Sequence, residues 1–210
     1  MSYRRMAGCA LVLAGMLVVS AGCPHTPPRV YGPPYNPSAA GAKAIEMFDQ
    51  NKDGKLTGDE LNGCPGLKAA LSKVDPANEG VTADRITARI QEWQKSKLGR
   101  MSVACTVMRN GRPLEGAEVK FVLEKFLGLD DPKWIAAGKS DMNGMVMLTV
   151  PTGDPRTDPP GVPPGFYRVE ITKPGMNIPA MYNTATTLGQ EVANDNPALQ
   201  GAGIRFDLKF

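Results

Sequence analysis

Asp49-Gln50-Asn51-Lys52-Asp53-Gly54-Lys55-Leu56-Thr57-Gly58-Asp59-Glu60 is the stretch on which the fold of this chain turns. Asp49, Asn51 and Asp53 alternate, and in a tight loop alternate side chains aim at one centre. Gly54 follows them and permits a sharp turn. Lys55 offers that centre only its backbone carbonyl. Thr57 reaches it directly or through a water, and Glu60 closes the shell with both carboxylate oxygens. Leu56 points the other way, into an apolar seam. Six to eight hard oxygens at about 2.3–2.6 Å are what Ca2+ takes. The spacing therefore predicts a Ca2+ site built from Asp49, Asn51, Asp53, Lys55, Thr57 and Glu60.

The flanks read as helices. Ser38 is placed to cap a helix with Ala44, Ile45 and Phe48 on its apolar side, which delivers the chain to Asp49. Thr57 and Glu60 stand at capping-box spacing, so Glu60 must serve either the cap or the ion, and a bound ion wins. Asn62-Gly63-Cys64-Pro65-Gly66 breaks the exit helix. A second helix is expected from Leu67 to about Val74. With Phe48 before it, Leu56 inside it and Leu61 after it, the twelve-residue loop resembles the calcium loop of the EF-hand family. Its final Glu60 separates it from dockerin-like loops, which more often end in Asp.

EF-hand loops normally come in pairs. Asp75-Pro76-Ala77-Asn78-Glu79-Gly80-Val81-Thr82-Ala83-Asp84 has the outline of a second loop without its ligands. If Gly80 matches Gly54, Ile86 takes the twelfth position. If Val81 matches Leu56, one residue is missing and Arg85 takes it. Either way the closing carboxylate is absent. The segment reads as a degenerate hand packed on the first, or as a plain turn in which Thr82 caps the next helix; the two readings are compatible. That helix carries the stripe Ile86, Ile90 and Trp93, with Lys95 and Lys97 near its end and Gly99 to stop it. Trp93 is read as core.

The N-terminus reads as a targeting leader over residues 1–22. Arg4 and Arg5 precede an apolar run from Met6 to Val19 that is too short to span a bilayer comfortably. Val19-Ser20-Ala21-Gly22-Cys23 resembles the bacterial lipoprotein signal, which implies lipidation of Cys23 and anchoring in the cell envelope. The alternative is ordinary cleavage after Ala21. Pro24 in place of an aspartate leans toward the outer membrane. Pro24, Pro27, Pro28, Pro33, Pro34 and Pro37 mark residues 23–37 as an extended tether with a reach on the order of 40 Å. The formal net charge is +3, and loss of Arg4 and Arg5 leaves about +1. No large basic field remains, so nucleic acid is not an expected partner. His25 is the only histidine. Histidine-dependent triads and multi-histidine metal sites are thereby excluded. No Gly-x-Ser-x-Gly and no phosphate loop is present, so the expectation is a protein without catalytic residues.

From Met101 onward the apolar period changes to two. Val103, Cys105 and Val107 alternate with Ser102, Ala104 and Thr106. Val119, Phe121 and Leu123 form a second set, Val146, Leu148 and Val150 a third, Tyr167, Val169 and Ile171 a fourth, and Ile204, Phe206, Leu208 and Phe210 a fifth. Weaker candidates lie at Ile178 to Tyr182 and Thr187 to Val192. Asn110-Gly111 and Asn143-Gly144 prefer hairpin turns. Six or seven antiparallel strands of this kind read as a β-sandwich. Asn110-Gly111-Arg112-Pro113-Leu114-Glu115-Gly116-Ala117-Glu118-Val119, Ser140-Asp141-Met142-Asn143-Gly144 and Pro164-Gly165-Phe166-Tyr167-Arg168-Val169 resemble the carboxypeptidase regulatory-like domain, which implies a prealbumin-like sandwich and no peptidase activity.

The expected fold class is α+β by domain. Residues 38–99 form a small all-α EF-hand pair with a degenerate second hand, and residues 100–210 an antiparallel sandwich. Met142, Met145 and Met147 are read as a second core layer in preference to a sticky surface. The Pro/Gly loop at residues 151–165 is either a binding loop or an inert insertion. An exported compartment permits a Cys64–Cys105 disulfide, but Cys105 lies on an apolar face where a reduced thiol packs well. Two function classes follow: a calcium-stabilised envelope lipoprotein with a structural, adhesion or assembly role, and a carbohydrate- or peptide-binding accessory module. The expected partners are the membrane through Cys23 and an envelope protein or glycan.

Overall fold

The computed structural model describes residues 30–153, 159–201 and 203–210. The leader, Cys23 and His25 lie outside them. Asn36 rather than Ser38 opens the first helix. Its side chain accepts a hydrogen bond from the Ala39 amide at 3.2 Å, and Pro37 takes the first helical position, where a missing N–H removes no bond. Helix α1 then spans Pro37–Phe48. A 3-10 turn at Gly58–Gly63 follows the twelve-residue bend. The helix expected from Leu67 to Val74 is two separate turns, α2 (Pro65–Lys68) and α3 (Leu71–Val74). Helix α4 (Ala83–Ser96) is capped by Thr82, whose hydroxyl accepts from the Arg85 amide at 3.4 Å. It ends on Lys97 in the left-handed region, φ 57°, two residues before Gly99.

Helices α1 and α4 pack closely because Gly41 has no side chain. A Cβ there would sit 2.4 Å from the Ala83 carbonyl oxygen. Ala40, Ala44, Ile86, Ile90 and Trp93 are buried around this contact.

The strands are β1 (Val103–Arg109), β2 (Arg112–Pro113), β3 (Glu118–Leu123), β4 (Ala136–Lys139), β5 (Met145–Leu148), β6 (Gly165–Thr172), β7 (Gly189–Val192) and β8 (Ile204–Leu208), with a helical turn α5 (Pro197–Gln200) before the last. One sheet places β1 between β8 on one side and β5 and β2 on the other; the second runs β4-β3-β6-β7. Val103, Cys105 and Val107 face Val119, Phe121 and Leu123 across the sandwich, and all six are buried. At Asn110-Gly111 both residues have positive φ, 50° and 79°, which matches the twist of the β1–β2 hairpin.

Four expectations are corrected here. Among the described residues there are eight strands, because β2, two residues long, and β4, Ala-Ala-Gly-Lys, carry no alternating signal. Ile178 to Tyr182 yields only a 3-10 turn, Ala180–Tyr182. The sandwich is not wholly antiparallel: β8 pairs β1 in parallel, with Cys105 opposite Ile204 and Arg109 opposite Leu208. Met142, Met145 and Met147 are not core; they are 75, 51 and 55% exposed, since Val146 and Leu148 already fill the inward face of β5.

The helices seat on the outer face of the second sheet through one continuous apolar core. Phe166 meets the Trp93 ring with centroids 4.5 Å apart. Gly189 lets Pro65 lie against β7, for a Cβ there would fall 1.8 Å from the Pro65 oxygen. A buried ion cluster reinforces the seat. Arg89 Nε donates to Glu191 at 2.6 Å and its Nη2 to Asp195 at 2.7 Å, while Trp93 Nε1 donates to the same Glu191 carboxylate at 3.1 Å. The end of the proline-rich segment is also docked. Tyr35 is buried and its hydroxyl donates to the Pro164 carbonyl at 2.7 Å. Cys64 and Cys105 are both buried and unbridged, each with its thiol pKa pushed up to about 12 by burial.

Candidate metal centre

Helix α1 ends by handing its last hydrogen bond, Asp49 N–H to Ile45 O at 3.0 Å, to the first residue of the bend. From there the side chains fold the loop on itself. Asp49 accepts from the amides of Lys52 at 2.6 Å and Gly54 at 2.9 Å. Asn51 accepts from the Asp53 amide and Asp53 from the Lys55 amide, both at 2.9 Å. Gly54 has φ 81° with open space around its α-carbon, the left-handed turn that a side chain would strain. The Lys55 ammonium leaves the loop for the Glu79 carbonyl at 3.2 Å.

Glu60 comes back from the exit turn. Its carboxylate accepts from the Thr57 amide and the Gln50 amide, both at 2.9 Å, and it is 8% exposed. The Thr57 amide, then the Gln50 amide, hold its pKa below the usual carboxylate value. The six predicted positions thus lie in one bend, and Glu60 occupies the capping role described above. Among the described residues no three His, Cys, Asp or Glu side chains form a cluster able to hold a metal. The bend instead offers a mixed set of hard oxygens: carboxylates, an amide, a hydroxyl and a carbonyl. Each carboxylate oxygen engaged with an amide keeps further acceptor capacity. That chemistry fits Ca2+ and disfavours softer metals.

Leu56, fully buried, pairs with Val81 in a two-way bridge of 2.9 and 3.1 Å. This pairing agrees with the alignment in which Val81 matches Leu56 and Arg85 falls at the twelfth position. The guanidinium gathers the oxygens of this segment. Arg85 bonds Asp75, donates to the Gly80 carbonyl at 3.0 Å and meets Glu79 at 2.5 Å. Asp75 also accepts from the Glu79 and Gly80 amides at 3.0 and 2.8 Å. Burial raises its pKa, but those two amides and Arg85 outweigh burial and lower it. The sequence shows a carboxylate missing at the twelfth position; it does not by itself show that Arg85 pairs with Asp75 and Glu79. A cation of fixed charge, set where a carboxylate is expected, was the available signal.

A groove of about 330 Å3 lies apart from this bend, where the end of the proline-rich segment crosses α4. Tyr31, Tyr35, Trp93, Gln94, Lys97 and Pro164 line it. Pro164 belongs to the Pro/Gly loop, so one end of that loop reaches the groove.

No protein-family model matches the chain, and no curated protein matches it. Among the described residues no helix is long and apolar enough to cross a membrane.

Proposed function

We propose that the chain is a calcium-binding envelope lipoprotein, anchored through Cys23, with a structural, adhesion or assembly role and no turnover. The helical part is read as an EF-hand pair and the sandwich as carboxypeptidase regulatory-like. The observation that carries the calcium reading is the paired loops: Leu56 bridged to Val81, with Arg85 filling the second loop and the first presenting hard oxygens alone. Asp49, Asn51, Asp53 and Thr57 would hold the ion with the Lys55 carbonyl, and Glu60 would trade its amide partners for it. A bound Ca2+ supplies a fixed divalent charge that ties the end of α1 to the exit turn. Exported sites of this type bind at roughly 10⁻⁴ to 10⁻³ M. At ten times the dissociation constant such binding adds about 1.4 kcal/mol to stability.

Calorimetric Ca2+ titration of the intact chain, wild type against Glu60→Gln, tests this. One site is expected in the wild type and none in the variant. Absence of binding heat in the wild type, with unchanged melting in chelator, refutes it.

The aromatic groove supports a second reading, a carbohydrate- or peptide-binding accessory module. The exposed Tyr31 ring beside the Gln94 amide and Lys97 offers a stacking face and polar contacts together. A glycan array, wild type against Tyr31→Ala, separates the readings: capture lost in the variant favours the groove.

A further inference from the structure

Among the described residues, one buried side-chain nitrogen or oxygen lacks a hydrogen-bond partner: Nε of Arg168. Such orphans are rare in folded proteins, because a buried donor left unbonded is costly. Strand β6 sets the geometry. Tyr167 and Val169 are fully buried inside the sandwich. Arg168 between them therefore points to the face that carries the helices, where Phe166 meets Trp93. Across the sheet it has Val122 on β3 and Gly189 on β7, neither of which offers a side-chain acceptor.

Glu124, the acid beside it, does not close on it. One Glu124 oxygen is held by the Gly66 amide at 2.7 Å, and the other stays 3.9 Å from Arg168 Nε. Burial also raises the Glu124 pKa to about 7. Below that pH its carboxyl is mainly protonated, and the guanidinium loses its counter-charge.

A pocket of about 90 Å3 opens at the guanidinium, lined by Arg168 with Val122, Leu129, Trp134 and Ile135. These four apolar side chains are half-buried. The loop over the pocket is held by a 3-10 turn, Pro132–Trp134, which opens on Asp131. The Asp131 carboxylate accepts from the Lys133 amide at 3.0 Å and pairs with Lys133 Nζ at 2.7 Å, so its charge is matched. Lys125 and Asp130 also stand in the lining, exposed and opposite in sign. What remains is one guanidinium beside an apolar wall.

A planar guanidinium takes a carboxylate through two parallel hydrogen bonds. The wall suits a short hydrocarbon tail, and the volume admits a few heavy atoms. Asp130 and Asp131 at the lining disfavour a multiply charged anion such as phosphate.

We infer that this pocket binds a small monocarboxylate, its carboxylate on Arg168 and its tail against Val122, Trp134 and Ile135. The site rests on neither the calcium reading nor the aromatic groove. Propionate is the probe, titrated into the intact chain at pH 6 while the arginine Nε–H resonances are followed by NMR. Phosphate and 1-propanol are the parallel titrants. One Nε–H signal should move and saturate with propionate alone, and the melting temperature should rise with it. Arg168→Gln should lack that signal and bind propionate at least tenfold more weakly. No saturable shift, an equal response to all three titrants, or undiminished binding by Arg168→Gln overturns the assignment. If Arg168→Gln does not fold, the three wild-type titrations decide by themselves.

Discussion

Replacing Glu124 by Gln should stabilise this protein, and more strongly as pH rises. Glu124 is 2% exposed, at the seam between the helices and the second sheet. One oxygen accepts from the Gly66 amide at 2.7 Å. The other is 3.9 Å from Arg168 Nε, which finds no hydrogen-bond partner. The Cys64 thiol is its other ionisable neighbour. Burial is the largest influence and raises its pKa from 4.5 to about 7; the Gly66 amide and Arg168 oppose it only in part. Between pH 4.5 and 7 the folded protein keeps a proton that the unfolded chain releases. The favourable contribution is therefore complete below 4.5 and lost as pH passes 7. At 1.36 kcal/mol per unit the loss is roughly 3 kcal/mol. Glutamine keeps the acceptor for Gly66 and carries no charge. At pH 8 the variant should be more stable by about that amount, roughly 6–12 °C in Tm for a chain of this size. At pH 4.5 the two should melt together. The assay is thermal unfolding of both proteins across pH 4.5–8, read as a difference so that other titrations cancel. Parallel profiles, or a wild type more stable at pH 8, would refute the reasoning by showing that Arg168 compensates the charge in full.

Arg89→Met leaves Glu191, 1% exposed, with a buried charge and only Trp93 to meet it. Denaturant unfolding should show a loss of about 3–5 kcal/mol, and a loss below 1 kcal/mol would mean the cluster is not what seats the helices. Arg85→Met removes the cation beside Asp75 and should cost about 1–3 kcal/mol by leaving that carboxylate with only its two amide donors. Because Val81 bridges Leu56, calorimetry on the same variant should show weaker Ca2+ binding at the first loop by severalfold; unchanged affinity would mean that the loops act independently.

Local chemistry made much of this legible. The bend at 49–60 declared itself because oxygen donors, Gly54 and Leu56 fall at fixed offsets, and each serves the loop through near neighbours. The core faces of β1, β3, β5, β6 and β8 were legible because alternation needs only the strand's own period. Signals failed where the deciding partner is remote. One miss was local: Ser38 looked like the cap, but Pro37 starts the helix two residues earlier and gives the role to Asn36. Met145 and Met147 looked like a second layer, yet they are 51 and 55% exposed, with no element covering that side of the sheet among the described residues. Docking of Tyr35 on Pro164 depends on residues 129 positions apart.

Local sequence determined the inward faces of β1, β3, β5, β6 and β8, the two longer helices, where the chain bends sharply, and which oxygens gather in one loop. Those are properties of short segments, set by backbone sterics and by contacts a few residues away. Tertiary structure alone decided that Arg85 pairs with Asp75 and Glu79, that β8 runs parallel to β1, and that Glu124 and Glu191 are buried between helix and sheet. Each of these depends on which surfaces meet, and burial or pairing of a charge has no value until they do.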